Sequence, residues 1–531
     1  LNDSDAPLAP APIADSTPGR EAAANPASDI SLDFEIAPQD IARLLRAPAL
    51  LACRQGRARV SGASMVWHDT AGGDLAARGL SLGQARDAWR LERLRPNGIF
   101  RDGVIEWPPA TVAPIVAQGS TPGQIAQSLN QDMPEGLTPI AAFTGRLREY
   151  PLRLAAAPAR LAVLEGTLRG VAQDRLTCHV IVTGQATAAA HLAAALCDTV
   201  RLTVPRAGLA AQAIAVATGQ APSARRTGAP SIPPGTTVAE AIDCVVAHLA
   251  DVILHWASLV PGAASPEPLH QMRVGVRRLR SALSVFRRAA QDEAGACPWL
   301  DELAGHLKPL ASRLGHARDW DVFIDGTGED VAGAFPKDRR IAQLNAAASR
   351  KREAAYADLA TFFASRAWAK LEMTLALLPS LRPWRPGAQP GSDDRLALPI
   401  RDYAADALKR RLKSVLTYGA DLSAHEPAAL HELRKQAKRL RYAIEFFSPL
   451  FAEKPVRKYL PRLEELQEEL GTLNDRAVAA ALMDQLGGGT DRAFAAGVVM
   501  GFGAARNARA TARIQRAWEK LTQARPFWTK E

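Results

Sequence analysis

The chain has 531 residues, too many for a single hydrophobic core, so about two to four domains are expected. Its composition, 47% hydrophobic and 23% charged, is that of an ordinary globular protein, and no apolar run approaches the ~20 residues of a membrane-spanning helix. Lys and Arg number 65 against 55 Asp and Glu, a net +10; from Ser231 onward the counts are 43 and 35, so most of the excess sits in the second part and hints at an anionic partner.

Residues 1–29 are rich in Ala, Pro, Ser and Asp with almost nothing to bury, the composition of a disordered tail. This opening lacks the basic and apolar segments of a secretory signal. The five cysteines (Cys53, Cys178, Cys197, Cys244, Cys297) are scattered and show no CxxC spacing, which supports neither a disulfide framework nor a zinc site. A cytoplasmic protein without metal or cofactor is expected.

Residues 30–219 carry short runs with β-branched or aromatic residues bounded by Gly, Pro and Asn: "SLDFEI", "SMVWHDT", "DAWRLERL", "GVIEW", "TCHVIVTG" and "DTVRLTVP". Between them "PQDIARLLRAP" and "ATAAAHLAAALCD" read as helices, so this part is α+β with mainly antiparallel strands. Residues 220–236, full of Pro, Gly and Ser, read as a linker. Residues 237–531 show apolar residues at three and four residue spacing and read as all-helical, with a Pro/Gly-rich break that separates about 237–385 from 398–531.

The strongest signal is an internal repeat. "LHQMRVGVRRLRSALSVF" (Leu269 to Phe286) returns as "LHELRKQAKRLRYAIEFF" (Leu430 to Phe447), and "LGHARDWDV" (Leu314 to Val322) returns as "LGTLNDRAV" (Leu470 to Val478). A unit of about 160 residues is therefore duplicated. At ~100° per residue, His270, Arg273, Arg277 and Arg280 share an arc of roughly 80°, opposite Met272, Val276, Leu279, Leu283 and Phe286. The second copy keeps the register with His431, Arg434, Lys438 and Arg441. A solvated helix face usually mixes signs and gains from i,i+4 ion pairs, whereas here like charges are stacked twice, which costs stability unless a partner supplies negative charge. Arg506, Arg509, Arg513 and Arg516 repeat the same spacing near the C-terminus and are expected to line the same surface.

These motifs resemble the CHAD family, the conserved histidine α-helical domain. The resemblance covers roughly Thr237 to Trp528 and implies two pseudo-symmetric four-helix bundles around a basic groove that binds inorganic polyphosphate and brings the protein to polyphosphate granules. By the same resemblance, His270, Arg273, Arg277, Arg280, His431, Arg434, Lys438 and Arg441 are binding residues, and Lys308 is a further basic position. Its counterpart in the second copy is Glu464 rather than lysine, which departs from a symmetric site; Arg462 stands nearby.

Residues 31–219 are similar to the CYTH or triphosphate tunnel family, through "LDFEIAPQDIARLLRAP", "VWHDTAGGDLAARGLSL" and "VIEWPP". That resemblance implies a closed antiparallel barrel around a tunnel lined with basic residues for triphosphate and acidic residues for divalent metal. The family's E-x-E-x-K motif falls on Ser31, Asp33 and Glu35, its tunnel arginines fall on Gly83 and Ala85, and its later E-x-E strand falls on "TCHVIVTG". With those ligands lost, no triphosphatase activity is expected.

The reading is a non-enzymatic polyphosphate binder, possessing a degenerate CYTH-like domain and a CHAD-like double bundle, with other granule proteins as further partners. The rivals are a metal-dependent triphosphatase or cyclase and a nucleic-acid binder. Against the second rival, neither stripe offers aromatics for stacking bases or amides for reading them.

Overall fold

Alternation along "SLDFEI" sends Leu32, Phe34 and Ile36 to one face of a strand, where all three are buried, and Ser31, Asp33 and Glu35 to the other. This strand, β1 (Asp29–Ile36), belongs to a nine-stranded sheet with β2 (Arg59–Asp69), β3 (Leu80–Ala85), β4 (Ala88–Arg93), β5 (Val104–Glu106), β6 (Thr138–Leu154), β7 (Ala157–Leu168), β8 (Arg175–Gln185) and β9 (Leu202–Thr203). The order is β5-β4-β3-β2-β6-β7-β8-β1-β9, and every neighbouring pair is antiparallel. The computed structural model describes residues 29–78, 80–85, 88–93, 104–106, 136–170, 173–205, 207–219, 230, 232–263, 265–291, 295–385, 395–419, 427–506 and 510–529. The tail expected over residues 1–29 lies outside them apart from its last residue, as does most of the expected linker.

The sheet departs from the closed barrel that the CYTH resemblance implies. Among the described residues it is open, with three-residue β5 at one edge and two-residue β9 at the other. Three short helices, α1 (Ile41–Leu44), α2 (Pro48–Cys53) and α3 (Asp74–Ala77), follow the strand ends. Two longer ones cover the faces. Helix α4 (Ala186–Cys197) packs on β1 and β8, and α5 (Leu209–Thr218) sets Ala210 and Ala213 against Phe143, Leu164 and Leu168.

From Val238 the chain is helical: α6 (Val238–Ala257), α7 (Glu267–Ala290), α8 (Pro298–Val322), a π-helical turn (Phe323–Gly328), α9 (Glu329–Ala334), α10 (Arg339–Ala364) and α11 (Arg366–Leu381). The second repeat supplies α12 (Ile400–Gly419), α13 (Pro427–Phe447), α14 (Glu453–Leu486), α15 (Thr490–Arg506) and α16 (Ala510–Thr522). Among the described residues the first repeat therefore brings five main helices where the resemblance implies four. In the first repeat Ser365 makes the division, because its side chain caps α11 by accepting from Trp368 N.

The two repeats are fastened where each begins. Thr237 caps α6 in a reciprocal capping box with Glu240. Alongside it, Val238 N donates to Leu398 O and Ile400 N donates to Thr236 O, so the chain entering α6 is paired with the chain entering α12. One apolar core runs from Leu32 and Phe34 of the sheet through α4 and α11 to Phe446 and Trp528. No helix among the described residues is long and apolar enough to cross a membrane.

Two facing glycines govern the middle of the sheet. Gly145 of β6 pairs with Gly166 of β7, where a Cβ on the first would stand 2.1 Å from Glu165 O and one on the second 2.5 Å from Thr144 O. Only glycine permits backbones to approach this closely. Gly145→Ala is therefore expected to cost about 1–3 kcal/mol through overpacking. Thermal unfolding of the full chain reads this as a lower midpoint, and an unchanged midpoint contradicts it.

Candidate functional site

Both basic helices carry an apolar face that the core requires. Met272, Val276 and Leu279 of α7 are buried, as are Leu433, Ala437 and Leu440 of α13. With those faces inward, α7 and α13 pack against one another, and a cavity of about 260 Å³ opens on their polar side. Its walls include His270, Arg273 and Arg277 from α7, Arg434 and Lys438 from α13, Arg318 and Asp319 from α8, and Asn474 and Asp475 from α14. Val322, Phe323 and Thr327 close one end, where α8 passes into its π-helical turn. A π-helical turn is an interruption often found at functional sites.

Five basic side chains thus meet two acidic ones, the equivalent aspartates of the two "LG" motifs. Asp319 lies 3.6 Å from Arg273 Nη1, and Asp475 lies 4.0 Å from Arg434 Nη2, both at the outer limit of ion pairing. Gly315 leaves the first guanidinium its space, since a Cβ there would stand 3.2 Å from Arg273 Nη1. Arg277 rests over the Tyr442 ring with its guanidinium carbon 5.3 Å from the centroid. Arg318 is flanked by Asp321 at 3.9 Å, a fully buried carboxylate that also holds Arg352 at 2.8 Å and the Tyr356 hydroxyl at 3.0 Å.

These cations are only partly satisfied. Arg273 Nη1, Arg277 Nε and Arg434 Nε are buried without a hydrogen-bond partner. Leaving such donors unpaired away from water is costly. Burial lowers the pKa of Arg277 and of Arg434. Lys438 is pushed down to about 7 by burial and by Arg434, Arg277 and Arg273, with Asp475 alone acting in the other direction among its main neighbours. Burial and Arg318 lower His270 as well, which keeps its imidazole neutral near pH 7. The cavity is thus a cluster of like charges short of counter-charge, and Lys438 is the member that gives up its proton most readily.

Only part of the sequence-based set meets here. His270, Arg273, Arg277, Arg434 and Lys438 line the cavity. Arg280 lies ten residues from His270, ~15 Å along the helix, and is exposed outside the lining. His431 and Lys308 are also exposed and outside it, as are Glu464 and Arg462. Arg441 is engaged by Glu445 at 3.0 Å. The C-terminal stripe is described only in part. Arg506 ends α15, Arg509 is outside the described residues, and Arg513 on α16 is bound to Glu469 at 2.7 Å. Arg318, Asp319 and Asp475 are site residues that the charge stripes alone do not reveal; their signal is the repeated "LG" motif.

Residues 244–484 match the family model of the CHAD domain, a span that takes in both basic helices and both "LG" motifs. Among curated relatives, the uncharacterized proteins MT2285 and Rv2226, from Mycobacterium tuberculosis strains CDC 1551 / Oshkosh and ATCC 25618 / H37Rv, are each 29% identical over 209 residues. Each match covers 38% of this chain and only 38% of the relative's own length. Among solved structures, the CHAD domain from the plant Ricinus communis is 29% identical with a TM-score of 0.47, covering 57% of this chain and 98% of that one. PptA from Streptomyces chartreusis is 18% identical with a TM-score of 0.41, covering 54% and 100%. Neither superposition is close enough to add weight, so the assignment rests on the family match. By the residues it matches, the helical part of this chain contains a CHAD domain.

Proposed function

We propose that the protein binds inorganic polyphosphate, without hydrolysing it, in the cavity between α7 and α13, and that this binding brings it to polyphosphate granules. The observation that carries the reading is the convergence of Arg273, Arg277, Arg434 and Lys438 from two repeats on one cavity in which three guanidinium nitrogens lack hydrogen bonds. Phosphate oxygens suit such groups, since guanidinium forks bind them bidentately and lysine adds a point charge. A linear polyanion has a further advantage over a compact one, because its neighbouring phosphates can reach both repeats at once. The first half fits a role other than catalysis. Asp33 is buried and hydrogen-bonded to His179 Nδ1 at 2.9 Å, and Ser31 shares a hydrogen bond with Thr183, so two of the three positions aligned with the tunnel motif are engaged within the sheet.

Substituting Arg273, Arg277, Arg434 and Lys438 together by Ala is expected to weaken long-chain polyphosphate binding by at least about a hundredfold, since charge-assisted hydrogen bonds contribute about 1.5–3 kcal/mol each. The slope of log affinity against log salt should become shallower, by analogy with counterion release from single strands. Titration at several salt concentrations, with circular dichroism to confirm intact helices, checks both, and unchanged affinity contradicts the site.

Lys438 gives the binding a pH dependence. Its pKa falls from 10.5 in the unfolded chain to about 7 in the cavity, so between these values the unfolded state holds more protons and this group makes the free protein more stable as pH rises. A bound polyanion favours the charged form, so binding takes up a proton and affinity should drop about tenfold from pH 6 to pH 8. Lys438→Arg, always charged, should flatten that profile. Titration in buffers of different ionisation enthalpy measures the proton uptake, and a profile that stays equally steep in the variant contradicts the role of Lys438.

A further inference from the structure

A second cavity, about 720 Å³, lies where the sheet meets the helical half. Its volume is in the range of sites for small organic molecules. Glu35, at the end of β1, and Gln212, on α5, form the sheet-side wall with Arg175 and Arg201; Phe363, in the last turn of α10, and Glu372, on α11, form the other. The arginines are already engaged. Arg201 donates to the Phe363 carbonyl oxygen at 2.7 Å, and Arg175 donates to the Gln212 side-chain oxygen, while Gln212 Nε2 donates to Glu35 at 2.7 Å.

Arg175 also stands 3.9 Å from Glu35, so what is left over is one carboxylate oxygen. Glu372 is 8% exposed, lines the cavity, and its Oε2 is buried without a hydrogen bond. Two helices also direct their C-terminal ends here, α6 through His255 and Ser258 and α10 through Phe363, and each brings partial negative charge. Burial pushes the Glu372 carboxyl up to about 8; Arg201 and the backbone at Val204 oppose this, and Glu35 adds to it. The other titratable groups around it are Cys197 on α4, whose own thiol is raised in part by Glu372, and His255 across the cavity. The ligand that such a wall lacks is a cation with hydrogen-bond donors. A bare metal ion does not fit, since among the described residues no three His, Cys, Asp or Glu groups come together to hold one. Leu254 and Trp368 instead supply apolar surface beside the carboxylate, suited to methylene groups.

We infer that this junction binds a small organic ammonium compound, a diamine or polyamine, with one ammonium held by Glu372 and with Glu35 as the second carboxylate. Because its walls come from both halves of the chain, the bound amine ties the sheet to the helices at a distance from the polyphosphate cavity.

Calorimetric titration of the full chain with 1,4-diaminobutane and with spermidine tests this. Both amines should bind, with proton release and an affinity about twentyfold higher at pH 8.5 than at pH 6.5, as ionisation of Glu372 requires. Glu372→Gln, isosteric with the neutral acid, should lose at least about tenfold in affinity. Glu35→Gln should lose severalfold, and both variants should retain polyphosphate as the unaltered protein does. The inference is overturned if neither amine binds, if Glu372→Gln binds them as well as the unaltered protein, or if succinate binds in their place with proton uptake.

Discussion

Repulsion among buried cations is the constraint around which the helical half is arranged. Arg273, Arg277, Arg434 and Lys438 come from two repeats and share one small cavity, held there because the opposite faces of their helices are committed to the core. Asp319 and Asp475 relieve only the outer pair, each at the limit of ion-pair distance. Lys438 reports the remaining strain by giving up its proton near pH 7. A site with unspent hydrogen-bond donors and too little negative charge is complementary to an anionic ligand rich in hydrogen-bond acceptors.

The cavity is less symmetric than the sequence repeat. Arg318 in one half corresponds to Asn474 in the other, His270 lines the wall while His431 is exposed, and among the described residues only the first repeat has a π-helical turn at this point. The first repeat thus lines the cavity with an imidazole and three guanidinium groups, and the second with a guanidinium, an ammonium and an amide. The fold supports this asymmetry without loss of rigidity, because the entries to the two repeats are hydrogen-bonded together and the core continues into the sheet.

Much of this was legible in the sequence, for reasons that can be located. The basic helices stood out because a period near 3.6 separated apolar from cationic positions in both copies, and β1, β8 and α4 because alternation or alanine-rich periodicity was unbroken. The longest strands, β6 and β7, give a weak local signal; "TPIAAFTGRLREYPLRL" mixes Ala, Arg, Leu and Pro, and its strand character comes from long-range pairing rather than from β-branched residues. The extent of the charge stripes misled in the other direction. Helical spacing places Arg280 and Arg441 on the same face as Arg273 and Arg434, yet it says nothing of how far along the axis a cavity reaches or of a carboxylate such as Glu445 waiting on the same helix. The aspartates beside the arginines were visible as part of a repeated motif, but their role depends on α8 and α14 packing beside α7 and α13.

The most direct measurement is a crystal structure of the full chain grown with a short linear polyphosphate. Phosphate density between α7 and α13, with oxygens on Arg273, Arg277, Arg434 and Lys438, is the predicted result. Phosphates found instead along the outer surface at Arg280, Lys308 and His431, with the cavity unchanged, would contradict it.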